Sequence, residues 1–385
     1  RPIYLDYAAT TPVDTRVLDA MLPYFQEQFG NPSSVHRYGQ QAEAALEAAR
    51  ETLAQGLNCR PDEVIFTGCG SESDNLALRG AAFTARQQRR ANHILISPVE
   101  HHAISHTAEQ LQALFGFELE YLPVDGNGTV HPAALAERLR PDTAVVSIIY
   151  ANNEIGTLNP IAELGALCRQ KGIPLHTDAV QGAAWLPVDV QALQVDLLSI
   201  GAHKFYGPKG VGALFVRRGT QLLPSQTGGG QEFNLRAGTQ NVPYIVGLAK
   251  ALELVASRKE ETVKGLIKLR DKLIKGVLKI EGAVLTGDPE YRSPHIASFV
   301  FKGVEGEALL LFLDEVGIAA SSGSACTAGN LKPSHVLLAM GVSAEIAHGS
   351  LRLSLGKTTT EAEIDYLLKK LPEIVAQLRR IAPKL

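Results

Sequence analysis

Two short runs place a carboxylate and an amine where they could share a ligand. In Leu175-His176-Thr177-Asp178 the acid stands at the carboxyl end of a strand-like stretch, and in Ser199-Ile200-Gly201-Ala202-His203-Lys204 the lysine stands just beyond another. If both stretches are strands of one parallel sheet, Asp178 and Lys204 converge at its carboxyl edge, where open α/β sheets bind ligands. An amine that can form a Schiff base and an acid that can hold a pyridine nitrogen protonated are the pair that pyridoxal phosphate chemistry requires. Taken singly each has a plainer reading, Asp178 as a helix cap and Lys204 as a surface lysine. A third run, FTGCGSESDN (66–75), follows a strand and opens a helix, so its small residues and free N–H groups could cradle a phosphate. It is neither a Walker loop nor GxGxxG, and glycine and serine before a helix are routine without any ligand. A fourth, SSGSACTAG (321–329), sets Cys326 among small residues that offer no apolar wall, so an exposed and reactive thiol is expected there. Cys59 and Cys168 read instead as small buried hydrophobes, and Cys69 as a small filler.

The elements that must position these residues alternate in period. Strands are predicted at 64–67, 93–97, 119–124, 144–150, 174–177, 197–200 and 213–216, with helices between most of them, among them 43–57 and 161–170. That alternation implies an α/β fold with a mostly parallel central sheet covered by helices. From Tyr244 to Ile280 the strands stop, and apolar residues at helical spacing run through Ile245, Leu248, Leu252, Leu266, Leu269, Leu273 and Val277. This stretch reads as a connector, its lysines and arginines as a solvated face. A smaller α+β domain follows, with a strand at 296–301, a helix at 305–316, a short helix near Val336, a strand at 350–355 and a terminal helix from Glu361. The expected division gives a large domain over 16–250 and a small one built from 1–15 and 251–385.

Composition removes several function classes. With 45% hydrophobic and 20% charged residues, the 385-residue chain is globular rather than disordered, and it is long enough for two domains. Lys+Arg 37 against Asp+Glu 40 gives a net charge of -3, so no global positive field collects nucleic acid or anionic lipid. The apolar runs are far shorter than the roughly 20 residues of a spanning helix. Four irregularly spaced cysteines provide neither a disulfide framework nor a metal site, and the histidines show no metal-ligand pattern. A polar N-terminus and this cysteine usage point to the cytoplasm.

Read together, LDYAATTP (5–12), FGNPSSVHRYG (29–39), FTGCGSESDN (66–75), VEHHA (99–103), NNEIG (152–156), HTDAVQ (176–181), GAHKFYGPKG (201–210), GGGQEFNLRAGT (228–239), SSGSACTAG (321–329) and LRLSLG (351–356) resemble the group I cysteine desulfurases. These belong to the fold-type-I, class V aminotransferase-like enzymes that use pyridoxal phosphate. The resemblance runs nearly end to end and implies roles position by position. Lys204 matches the Schiff-base lysine, Asp178 the partner of the pyridine nitrogen, Gln181 the partner of the ring hydroxyl, and His101 the residue stacked on the ring. Gly70, Ser71 and His203 match phosphate ligands, and Thr239 matches one reaching across from the second subunit of a homodimer. Arg352, helped by Asn153, matches the clamp on the substrate carboxylate, a task that suits a planar bidentate donor. Cys326 matches the nucleophile, carried with Arg352 on the small domain.

The chain departs from the pattern at Gly201, where a serine is usual and a phosphate donor is therefore missing, and at Gln231, where a histidine is common. The implied activity is conversion of L-cysteine to L-alanine, with a persulfide formed on Cys326 and passed to a sulfur-acceptor or cluster-scaffold protein for iron–sulfur assembly. The alternatives are a C–S lyase or selenocysteine lyase on the same fold, and an inactive scaffold that binds a sulfur acceptor. His102 and His106 are expected to be surface or packing residues.

Overall fold

The computed structural model describes residues 2–322 and 332–381. A two-residue strand β1 (Ile3–Tyr4) precedes α1 (Thr15–Met21), α2 (Pro23–Gln26) and the long α3 (Arg37–Leu57). Strand β2 (Val64–Thr67) then leads into α4 (Gly70–Arg89), β3 (His93–Ile96) into α5 (His102–Phe115), β4 (Glu118–Tyr121) into α6 (Pro132–Arg138), and β5 (Thr143–Ser147) into α7 (Ile161–Gln170). Three strands, β6 (Leu175–Asp178), β7 (Leu197–Gly201) and β8 (Gly212–Val216), complete a seven-stranded sheet of order β2-β8-β7-β6-β5-β3-β4. It is parallel except for β8, which runs antiparallel to both neighbours.

Apart from β4 and the polar β6 (Leu-His-Thr-Asp), the strands of the sheet are mostly apolar on both faces. Every residue of β2, β3 and β5 to β8 is buried, as expected for strands covered by helices on both faces. At the edge, β4 carries Glu118 and Glu120, charges that discourage pairing with another chain. It spans Glu118–Tyr121 rather than the predicted 119–124. The helix predicted at 43–57 begins earlier, at Arg37, because His36 caps it by accepting from the Gly39 N–H, and it ends where Asn58 turns left-handed at φ 54.

The predicted connector is two helices. α8 (Val242–Ser257) packs against α1 and α3, and α9 (Lys259–Val277) packs against the C-terminal helix, with the break at Arg258. Beyond them come β9 (Ala283–Leu285), β10 (Ile296–Phe301), α10 (Gly306–Glu315), β11 (Ile318–Ala319), the short α11 (His335–Ala339) and α12 (Ala344–Ala347), β12 (Ser350–Ser354) and α13 (Glu361–Ile381). β12, β10 and β9 form an antiparallel sheet, and β11 pairs in parallel with β1. The N-terminal segment is therefore stitched to the last third of the chain, where the Ser354 N–H donates to Leu5 O at 2.8 Å and the Ala8 N–H to Ser354 Oγ at 2.8 Å. Among the described residues no helix is long and apolar enough to cross a membrane.

Candidate active site

Both anticipated groups stand at the carboxyl edge of the central sheet. Asp178 is the last residue of β6, and Lys204 closes a short 3₁₀ turn directly after β7. They share the wall of a cavity of about 450 Å³ with Gly70, Ser71, His101, Asn153, Gln181, His203 and Arg352. Thus nearly every expected site residue within the described chain meets in one place. The exception is Thr239, which stands beside Gly68 and Arg236 at a separate pocket of about 120 Å³. Cys326 lies outside the described residues, while Ser321 and Ser322, the last described residues before it, line the large cavity.

Lys204 is held from the N-terminal side, with Nζ donating to Ala8 O at 2.7 Å and Ala9 O at 2.8 Å. The same segment grips the turn around the lysine. The Thr11 hydroxyl donates to His203 O at 2.9 Å and accepts from the Tyr206 N–H at 2.7 Å. Sequence reasoning missed Ala8 and Ala9, whose contribution is made by main-chain oxygens; the signal available was the small-residue run LDYAATTP.

Asp178 Oδ1 accepts from the Val180 N–H at 2.9 Å. Burial pushes its carboxyl up to about 6, with that hydrogen bond and the Lys204 charge acting in the opposite direction. His101 caps α5, its Nδ1 accepting from the Ala103 N–H at 3.1 Å, so the other ring nitrogen carries the hydrogen of the neutral form. Burial, then the Lys204 charge, pushes His101 down to about 4, and the same two causes act on His203, also at about 4. Both imidazoles are therefore uncharged at neutral pH. Gln181 spends its Nε2 on Ala8 O at 2.8 Å, which fixes the side chain against the N-terminal segment.

The start of α4 meets the cavity because Gly70 has no side chain: a Cβ there would come within 2.7 Å of Val180 Cγ2. The first N–H groups of any helix lack intrahelical acceptors, so this end can receive an anion. Cys69 differs from the expected filler. It is the N-cap of α4, exposed, and lines the cavity. Cys59 is half-buried and Cys168 fully buried, and burial pushes both thiols up to about 12, so neither is a ready thiolate. His102 stacks between His106 and His335, at centroid distances of 4.4 and 4.6 Å, in keeping with a packing role.

Arg352 comes from β12, across the cavity from β6 and β7. Its guanidinium donates to Asn153 O at 2.8 Å and to Asp6 Oδ1 at 3.0 Å, and Nε is buried without a partner. Asp6, which was not singled out from the sequence, holds one end of the guanidinium. The wall can thus receive an anion at α4, a carboxylate at Arg352 and a cationic ring nitrogen at Asp178, with an amine at Lys204 between them.

The aminotransferase class-V family model matches residues 3–367. A cysteine desulfurase IscS of Methanosarcina thermophila is 49% identical over 383 residues, covering 100% of this chain and 94% of the relative. Among solved structures, a NifS-like protein superposes with a TM-score of 0.91 at 40% identity, covering 98% of this chain and 100% of that one. Another, described as SspA in complex with cysteine, has a TM-score of 0.81 at 35% identity, covering 93% and 100%.

Proposed function

The chain belongs to the aminotransferase class-V family and is a cysteine desulfurase, and from that premise we propose that it binds pyridoxal phosphate in the 450 Å³ cavity and passes sulfur from L-cysteine to Cys326. The observation that carries the reading is the convergence of Lys204, Asp178, His101 and Arg352 on that one cavity. The residues fit the cofactor. Asp74 Oδ1 and Arg352 Nε are buried without partners in its wall, and a side chain at position 70 would close the approach to α4. Gly70, Ser71 and His203 would hold the phosphate, Asp178 the ring nitrogen, Gln181 the ring hydroxyl, His101 the ring face and Lys204 the aldehyde carbon. When bound, the cofactor supplies an electron sink for the bonds at the substrate's α-carbon.

The remaining chemistry falls to the chain's own groups. Arg352, with Asn153, binds the substrate carboxylate and so fixes the α-carbon over Lys204. The Lys204 amine then moves the proton at that carbon, while neutral His101 can accept or donate beside it. The Cys326 thiolate attacks the substrate sulfur. The C–S bond breaks, an S–S bond forms on Cys326, and the carbon fragment takes up a proton and leaves as alanine, so that cysteine plus thiol gives alanine plus persulfide. The acceptor is proposed to be a sulfur-carrier or cluster-scaffold protein of iron–sulfur assembly. A homodimer is proposed on the apolar residues exposed along one stretch of the chain, Leu18, Leu22, Phe25, Phe29 and Val35, with Thr239 completing the partner's phosphate site. The division into a large domain (16–250) and a small one (1–15 and 251–385), and a cytoplasmic setting that keeps Cys59, Cys69 and Cys168 as free thiols, complete the proposal.

Cysteine added to the cofactor-loaded protein without reductant tests it. Alanine should appear and mass spectrometry should place one extra sulfur on Cys326, whereas Cys326→Ala should keep its cofactor and release no alanine. Pyruvate with sulfide as the products, or full alanine release from Cys326→Ala, would remove the nucleophile from the mechanism.

A further inference from the structure

Buried carboxyl groups crowd the carboxyl edge of the central sheet: Asp178 at the end of β6, Asp74 in the second turn of α4 and Glu100 just before α5. Asp74 lines the same cavity as Asp178 and is 1% exposed. Among the described residues, the one basic side chain within ion-pair distance of Asp74 is His176, its Nε2 3.6 Å from Oδ1. That imidazole supplies no charge. Its Nδ1 meets Ser147 Oγ at 2.8 Å, its Nε2 meets Ser199 Oγ at 2.9 Å, and complete burial pushes it down to about 3.

Asp74 Oδ1 itself has no hydrogen-bond partner, and the Ser199 hydroxyl nearby is engaged with His176. An ionised Asp74 would be a nearly bare charge in a dry site, facing Asp178, Glu100 and the Cys69 thiol; retaining a proton is the cheaper state. Burial, followed by the Asp178 charge, indeed holds Asp74 well above the usual carboxylate range. Asp178 is placed differently, since the Val180 N–H and the Lys204 amine both favour its charged form. Glu100 shares the situation of Asp74, with Oε1 accepting from the Ile149 N–H at 2.7 Å and Oε2 unpartnered.

We propose that Asp74 is a positioning residue for Asp178: it stands in the cavity wall as a neutral carboxylic acid, leaving the Asp178 carboxylate as the single negative charge that faces the ring nitrogen of the cofactor. This rests on the role given to Asp178 above. Two ionised carboxylates there would repel each other and make Asp178 a stronger base than the ring nitrogen needs. The neutral acid keeps a polar group in the wall without the second charge.

An asparagine has the shape of that neutral acid, so the prediction is specific. Infrared difference spectra of the apoenzyme at neutral pH should show the C=O stretch of a protonated, buried acid, and the band should vanish in Asp74→Asn. The dissociation constant of pyridoxal phosphate, followed against pH, should stay within about threefold of wild type in Asp74→Asn with its acid limb unmoved. Asp74→Val, which takes the polar group out of the cavity wall, should weaken binding about tenfold. The proposal is overturned if no such band depends on Asp74, if Asp74→Asn moves the acid limb, or if Asp74→Val binds like wild type. Asp178→Asn separates the premise from the proposal. Wild-type cofactor binding in that variant would remove the role of Asp178, whereas the infrared band of the apoenzyme reports on Asp74 with no cofactor present.

Discussion

In the role proposed for it Asp178 is ionised, yet it sits where burial favours its neutral form. Its carboxyl is raised from 3.8 to about 6 on folding, so the protonated form favours the fold. The stabilisation is fully present below the unfolded value and is lost as pH rises through about 6. Asp178→Asn is neutral throughout. Its apoenzyme should therefore unfold at higher urea than wild type at pH 8, by about 2–3 kcal/mol, and match it near pH 4. Buried histidines act in the opposite sense. Those lowered to about 4, His101 and His203, stabilise above the unfolded value of 6.5 and lose that contribution as pH falls toward 4. They are common to both proteins and cancel in the difference; equal stability at pH 8 would contradict the argument. Gly201 offers a gain instead of a loss. A Cβ there would lie 3.4 Å from Gly70 N, an ordinary contact, on extended backbone at φ -139. Gly201→Ser should fold normally and, by adding a donor to the anion site, tighten pyridoxal phosphate about tenfold in equilibrium dialysis; unchanged affinity would place the phosphate elsewhere. Lys204 and Asp178 were legible because strand-end positions and residue types coincide. The carbonyls of Ala8 and Ala9 were not, since a main-chain acceptor leaves no mark in a sequence. Asp74 was hidden for another reason: in SESDN it looks like any polar residue of a helix start, and only the sheet beneath α4 decides that it is buried.

At the scale of elements, most strands of the central sheet could be read because burial on both faces favours apolar runs. The two- and three-residue strands β1, β9 and β11 are too short to show a period, and pairing rather than composition defines them. The break between α8 and α9 escaped notice because Arg258 is an acceptable helical residue and the helical spacing continues on both sides of it. One tie between elements is also invisible locally. Arg50 of α3 makes paired hydrogen bonds, both 3.0 Å, to Glu232, whose carboxylate also accepts from the Phe66 N–H of β2 at 2.8 Å. Both side chains of that ion pair are almost completely buried. Removing the Glu232 charge leaves the buried Arg50 guanidinium with only the half-exposed Glu47 as ionic partner, so Glu232→Gln should lower the unfolding free energy by about 3 kcal/mol. Urea titration would reveal it, and a loss below about 1 kcal/mol, the worth of a surface pair, would mean that water reaches the guanidinium.

For the molecule as a whole, the proposed homodimer would cover the exposed Phe25 and Phe29. If each site borrows Thr239 from its neighbour, cofactor occupancy and dimerisation are linked, and cofactor should strengthen the dimer by mass action. Sedimentation of dilute apo and cofactor-loaded protein should show more dimer in the loaded form; a fully loaded monomer would end the idea. The anchoring of Lys204 by residues 8 and 9 has a further consequence, in the order of assembly. That segment is itself fixed by Ser354, 346 residues from Ala8. Contacts so distant in sequence form late, because a long loop must close before they repay its entropy. A chain leaving the ribosome has therefore made its entire central sheet, lysine included, well before the strand that pins the N-terminal segment exists. The Ala8 and Ala9 carbonyls that hold Lys204 Nζ are therefore fixed only once β12 has been made, long after the sheet that carries the lysine.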